Sequence, residues 1–453
     1  MRQTLLIKGG RIIDTSQRLD LVGDLLIVDG KVCEVGSITS SPERDIVVVD
    51  ANGMVVCPGF IDLHCHLRDP GFEEKETIAT GARAAAHGGF TTICCMPNTN
   101  PPADASAAIE YIKNKAQAEG VVRVFPIGCI TQGREGKKLA EMGRLAESGV
   151  VGYSDDGSPV ADAHLMRNAL QYSKLFNLPI IDHCEDVSLT AAGVMNEGLL
   201  SSELGLAGTP AAAESIMVAR DIALVELTGG RLHLAHVSTA ASVDIVRRAK
   251  ERKLSVTAEV APHHLTLTEE CVVNYNTNAK VNPPLRTKAD IEALIAALND
   301  GTLDAIATDH APHTLADKQC EFALAAFGIS GFETALGSLM SLVHNRELDL
   351  VTLISKLTIE PANILIKGGQ DAPIAYDARV PWGLGTLKVG APADIVIIDT
   401  EAEWIVDPQE FASKGRNTPW EDCSLKGQVM LTVAEGEIVY KHGHIEVGKP
   451  TNG

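Results

Sequence analysis

The chain is poor in aromatic residues, 4% of 453, and its ten cysteines include no CxxC pair. Cys33, Cys57, Cys65, Cys94, Cys95, Cys129, Cys184, Cys271, Cys320 and Cys423 are scattered along it. That pattern excludes a small disulfide scaffold and reads as reduced, buried thiols of a cytosolic protein. Positive charge is also scarce: 39 Lys and Arg face 59 Asp and Glu, for a formal charge of −20 and a pI near 5.1. Such a field repels phosphate backbones and anionic lipid, so no nucleic acid or membrane partner is expected. No apolar run reaches the ~18 residues of a membrane helix. The opening MRQTLLIKGGRIID has neither a sustained apolar segment nor a small-residue cleavage site, so the expected location is the cytoplasm.

What is present is material for a large core: 45% hydrophobic residues and 40 glycines, enough for one α/β barrel and a smaller appendage. The first sixty residues alternate short β-branched runs with Gly or Asp-Gly turns, and the same texture returns at 393–399 and 428–443. The two ends are therefore expected to pair into one β-sandwich, residues 1–58 with 371–453. Between them, in 59–370, short apolar runs alternate with stretches of helical period, the pattern of repeated βα units. Eight strands are predicted at 60–66, 91–98, 122–130, 150–156, 179–186, 232–238, 255–264 and 303–313. Eight such units closing on themselves form a TIM-type (β/α)8 barrel, with its chemistry at the carboxyl ends of the strands.

Those ends are unusually polar. His64 and His66 close the first strand as H-x-H, Asp156 the fourth, His183 the fifth, His236 the sixth and Asp309 the eighth. Residues i and i+2 of a strand share a face, so two neutral imidazoles can hold one zinc ion together. An isolated H-x-H is more often a hydrogen-bonded pair; four further ligand-type residues at other strand ends tip the balance to a metal. Asp156 is the candidate bridge between two ions, and its neighbour Asp155 reads as structural. Asp309 is placed to take a proton from a nucleophilic water and return it to a leaving nitrogen. His233 and His310 read as buried hydrogen-bonding histidines, and Cys94 and Cys95 as core. Arg68 and Asn98 lie just past strands one and two, where a guanidinium fork and an amide can grip a carboxylate. With Asn282 and His313 they suggest an anionic, amide-bearing substrate.

Read in order, HCHLRDPG, MPNT, SDDG, DHCED, HLAHVST, VNPPLR, TDHAPH, FGISGFETAL, GAPADIVIID and NTPW with LKGQV resemble the amidohydrolase superfamily. Within it they resemble the bacterial-type (class I) dihydroorotases, over nearly the whole chain. The resemblance implies a metal-dependent hydrolase cyclising N-carbamoyl-L-aspartate reversibly to dihydroorotate in pyrimidine biosynthesis. It implies one or two zinc ions on His64, His66, Asp156, His183, His236 and Asp309, with Asp309 also the acid/base. Substrate contacts would be His66, Leu67, Arg68, Asn98, Asn282, His313 and the backbone of Phe327 and Gly328. It also implies a homodimer and leaves association with aspartate transcarbamoylase open. Related hydantoinases, dihydropyrimidinases and allantoinases carry a carboxylated lysine at the end of strand four; here no lysine lies between Lys138 and Lys174. Ala326 stands where the family often has proline. Two rivals are a hydantoinase- or allantoinase-type hydrolase of uncharged rings, disfavoured by Arg68, and a non-catalytic barrel subunit, disfavoured because no ligand position is lost.

Overall fold

The computed structural model describes residues 4–38, 46–190, 192–366, 380–443 and 445–448. The boundary expected between 370 and 371 lies outside the described residues. Both ends of the chain build one nine-stranded sheet. Its N-terminal strands are β1 (Thr4–Asp14), β2 (Leu19–Val28), β3 (Lys31–Gly36), β4 (Ile46–Asp50) and β5 (Val55–Pro58). β1 pairs antiparallel with β2 along one edge, while its other edge is shared by β4, parallel at Thr4–Lys8, and β5, parallel at Arg11 and Ile12. The sheet thus branches at β1.

The central region begins two residues after β5. It contributes β6 (Phe60–Cys65), β7 (Phe90–Cys95), β8 (Arg123–Pro126), β9 (Ile180–Asp182), β10 (Leu232–Leu234), β11 (Val256–Val260) and β12 (Ala305–Ile306). All their pairings are parallel, in the orders β6-β7-β8 and β9-β10-β11-β12. Tyr153 bridges Gly128 on one side and Ile180 on the other, and His310 bridges back to Cys65, so the ring of pairings returns to its first strand. Ile61, Leu63, Cys94, Ile127, Val151, Ile181, Ala235 and Ala305 pack into one cluster drawn from seven of the eight segments. The predicted fourth strand, 150–156, is reduced to the bridges at Tyr153. The predicted seventh stops at Val260, and Pro262–Thr266 is helical. A backbone reason accounts for the early endings of strands six and eight: His236 and Asp309 have positive φ, +32° and +46°, which no ladder accommodates.

The C-terminal strands are β13 (Ile395–Ile405), β14 (Ser424–Ala434), β15 (Glu437–Lys441) and β16 (Val447–Gly448). β13 pairs with β5, and β16 with β4, which closes the two chain ends onto each other. The apolar run at the start of β13 is explained by burial on both faces. Ile395 and Ile397 enter the core of the terminal sheet with Leu5, Leu25, Val56 and Leu431, whereas Val396 and Ile398 join the core beneath the barrel helices with Phe90 and Phe332. Burying each such side chain contributes about 1.5–3 kcal/mol, so β13 is the wall that fastens the two parts together. Arg123 adds an ion pair to Asp394 at 2.6 Å across the same junction. Six of the ten cysteines are buried, but Cys33, Cys320 and Cys423 are exposed and Cys271 lies between; all ten are free thiols.

Candidate metal centre

Beyond the carboxyl ends of these strands the six ligand candidates meet, each no more than 5% exposed. His64 Nε2 lies 3.4 Å from Asp156 Oδ1 and 3.6 Å from Asp309 Oδ1; His66 Nε2 lies 3.2 Å from Asp309 Oδ1 and 3.6 Å from Asp156 Oδ2. On the other side, His183 Nδ1 and His236 Nε2 are each 3.5 Å from Asp156 Oδ1 and 3.0 Å from one another. Asp156 therefore stands between two groups, His64 with His66 and Asp309, and His183 with His236. His64 Nε2 and Asp156 Oδ1 are buried with no hydrogen-bond partner. With His64 Nδ1 donating to Glu259, Nε2 and Asp156 Oδ1 are two lone-pair atoms facing one another at 3.4 Å, the arrangement a shared cation satisfies. Asp155 turns away: its Oδ1 accepts from Ile130 N at 2.9 Å and Thr131 N at 3.1 Å, and its Oδ2 from the Thr131 hydroxyl.

Outer partners aim the histidines. Glu259, on β11, takes His64 Nδ1 at 3.1 Å and His233 Nε2 at 3.0 Å; Glu185 takes His183 Nε2 at 2.9 Å; Asn98 Oδ1 takes His66 Nδ1 at 2.9 Å. For His64, His66 and His183 the bond leaves the ring's other nitrogen facing the centre, an arrangement that sets tautomer and basicity, whereas the other nitrogen of His233 bonds the Thr257 hydroxyl at 2.9 Å. Sequence reasoning passed over both glutamates. Glu185 carried a signal two residues after His183, and Glu259 another as a lone acid in the run SVTAEV. Burial opposes every charge here. The mutual attraction wins for His64, raised well above its ordinary range by Asp156 and Glu259, and for His183, raised to about 10 by Asp156 and Glu185. Asp156 and Asp309 are correspondingly held below the usual carboxylate range by the histidines, and Glu259 is held at about 2 by His233 and His64. Arg68, His236 and Asp309 all have positive φ, a strain of about 1–3 kcal/mol each that surrounding structure must hold.

Among the other candidates, Arg68 reaches Pro312 O and His313 Nε2, both at 3.3 Å, and no carboxylate of the described residues lies within ion-pair distance of it. Burial lowers its pKa only to about 10, so it is a cation at neutral pH. Burial and then the charge of Arg68 draw His313 down to about 3. A neutral His313 cannot both donate from Nε2 to Phe327 O, at 2.8 Å, and accept there from Arg68; the shorter bond prevails, and one guanidinium N–H is left for a ligand. Asn282 Nδ2 is held by Glu185 Oε2 at 2.9 Å. Leu67 is buried against Gly81, so only its backbone can face the mouth. Gly328, at φ +141° and with Ala311 O only 2.7 Å from where a Cβ would stand, donates to Lys280 O, and its carbonyl accepts from Asn417. His310 bonds Glu76 at 3.4 Å and stacks on Phe332. A third acidic group, Asp182, Cys184 and Asp221, is already balanced by Arg220, which pairs with Asp221 at 2.7 Å.

A profile of the dihydro-orotase-like family matches residues 53–242. A dihydroorotase of Geobacter sp. (strain M21) is 52% identical over 439 residues, spanning 97% of this chain and 100% of its own. One from Thermoanaerobacter sp. (strain X514) is 49% identical, over 96% and 97%. Among solved structures, the L-hydantoinase (dihydropyrimidinase) of Arthrobacter aurescens superposes with a TM-score of 0.85 at 25% identity, covering 98% of each chain. A D-hydantoinase superposes at 0.83 with 23% identity, which speaks for the fold alone. No helix among the described residues is long and apolar enough to cross a membrane.

Proposed function

We propose, since the chain belongs to the dihydroorotase family, that it interconverts N-carbamoyl-L-aspartate and (S)-dihydroorotate in pyrimidine biosynthesis. The observation that carries the substrate is Arg68, a half-buried cation beside the metal centre with no carboxylate partner among the described residues. Desolvating a guanidinium without an anion is costly, and a ring carboxylate supplies the anion. The reading includes membership of the bacterial-type class I group, where Asp156 replaces a lysine, and zinc as the cation, because imidazole nitrogens and carboxylates suit it. It includes a (β/α)8 barrel over 59–370, a β-sandwich made by the arms of the branched sheet from 1–58 and 371–453, and a cytoplasmic homodimer. Association with aspartate transcarbamoylase would be decided by co-sedimentation of the two proteins.

The chemistry that bound zinc supplies is polarisation of the scissile carbonyl and a lower pKa for the attacking water. His64, His66, Asp156, His183, His236 and Asp309 would hold it. Asp309 accepts the proton of the attacking water and returns it to the departing ring nitrogen. In the cyclising direction the same carboxyl group takes the proton of the ureido nitrogen and assists loss of water. Arg68, with Asn98 and Asn282 nearby, orients the ring by its carboxylate.

Two outcomes test this. Purified protein should contain about one to two zinc ions per chain, and a chelator should abolish turnover of dihydroorotate until zinc is restored; full activity in metal-free protein would sink the reading. Arg68→Met should cost roughly 2–5 kcal/mol in kcat/KM for dihydroorotate, about 30- to several-thousand-fold. Hydrolysis of an uncarboxylated cyclic imide should suffer far less. Equal losses on both substrates would move Arg68 to a structural role and favour the hydantoinase alternative.

A further inference from the structure

Two lysines lie almost wholly inside the molecule beside the mouth of the site, Lys280 at 2% and Lys318 at 3% exposure. A buried ammonium usually meets a carboxylate. These two spend their hydrogens on backbone carbonyls instead. Lys318 Nζ donates to Thr277 O (3.0 Å), Lys280 O (3.2 Å) and Ala326 O (2.8 Å), which uses all three. Lys280 Nζ donates to Phe322 O (2.8 Å) and Ala323 O (2.9 Å) and stands 4.4 Å from the centre of the Phe327 ring. The backbone answers: Gly328 N donates to Lys280 O at 2.9 Å, and Ala326 N to Asp317 O at 3.0 Å.

The segment 322–328 is therefore held at Phe322, Ala323, Ala326 and Phe327 by the amines of two lysines, and at Ala326 and Gly328 by the backbone beside those lysines. Its other anchors sit mostly at its ends, Phe322 in an apolar cluster and Gly328 O on Asn417 Nδ2 at 2.9 Å, with Ala325 buried between them; the segment has no regular helix or strand, and Leu324 is exposed. Its far end touches the site: Phe327 O takes the proton of His313 Nε2, and His313 lies against Arg68. Shifting this segment would release His313 to compete for the guanidinium hydrogens that the substrate carboxylate needs.

We propose that Lys280 and Lys318 are positioning residues that clamp segment 322–328 against the mouth of the site, keeping His313 bound to Phe327 and Arg68 free for a carboxylate. The clamp deepens the substrate reading above and rests on it. Its test pairs turnover with amide exchange in Lys280→Met and Lys318→Met, which keep length and lose the donors. The expected result is a KM for dihydroorotate raised about 10–100-fold, the cost of a small misplacement of binding groups. The kcat should stay within about threefold and zinc content should not change, while the amides of Ala326 and Gly328 exchange faster in the substrate-free protein. If a Met variant fails to fold, Lys318→Gln, which retains two donors on a shorter arm, gives the same readouts at smaller amplitude. Unchanged exchange would overturn the clamp, and so would faster exchange with KM unaltered. A parent protein that does not turn over dihydroorotate would remove the substrate reading, while the exchange data still decide whether the lysines hold the segment.

Discussion

Replacing Asp309 by Asn is expected to lower kcat for dihydroorotate by about 10²–10⁴-fold, the range for loss of a positioned acid/base, with folding nearly unaffected. The amide keeps the shape of the side chain but cannot accept a proton from water at neutral pH. Asn is also the replacement the backbone tolerates: Asp309 sits at φ +46°, where Asn and Asp are the least strained of the larger residues. Alanine there would confound lost chemistry with strain. Because Asp309 Oδ1 lies within 3.6 Å of both His64 Nε2 and His66 Nε2, the amide also weakens attraction for a cation on that side. Zinc content must therefore be measured with the rate, and the loss should persist at saturating zinc. A variant within tenfold of the parent under those conditions would show that the proton travels through another group.

The residues that meet at the centre stood out in the sequence because histidine and aspartate interrupt runs that are otherwise apolar, and a barrel strand tolerates that only at its mouth. What surrounds them was less legible for identifiable reasons. Glu259 belongs to a strand and its partner His64 lies 195 residues away in sequence, while Glu185, only two residues from His183, sits in a loop whose course alternation does not fix. Lys280 and Lys318 look in sequence like ordinary surface lysines, and only the fold turns them inward onto carbonyls. The extent of strands was overread wherever the backbone bends toward the site, as at His236 and Asp309, since positive φ in a non-glycine residue has no signature in composition. β13 was legible as a strand because ADIVIID is apolar on both faces, but the branch at β1 depends on pairing Thr4–Lys8 with Ile46–Asp50, a non-local choice that alternation alone does not make.

Of the two adjacent aspartates at the end of the fourth barrel segment, only Asp156 is expected to govern metal retention. Its Oδ1 lies 3.4–3.5 Å from His64, His183 and His236 and its Oδ2 3.6 Å from His66, so Asp156→Ala takes away the group common to both halves of the centre. Zinc affinity should fall by more than the 10–100-fold that loss of an outer partner typically costs, and the whole metal complement, one ion or two, should dialyse away. Asp155→Ala acts differently. It strands the buried N–H groups of Ile130 and Thr131 and the Thr131 hydroxyl, each left without an acceptor at a cost of about 1–3 kcal/mol. The folded protein should melt several degrees lower yet retain its zinc. Burial raises the Asp155 carboxyl to about 6 against the pull of those same donors; its structural role rests on the bonds to Ile130 and Thr131 that turn both of its oxygens away from the centre. Zinc that is lost with Asp155→Ala and kept with Asp156→Ala would reverse the assignment and require a different backbone course after Tyr153.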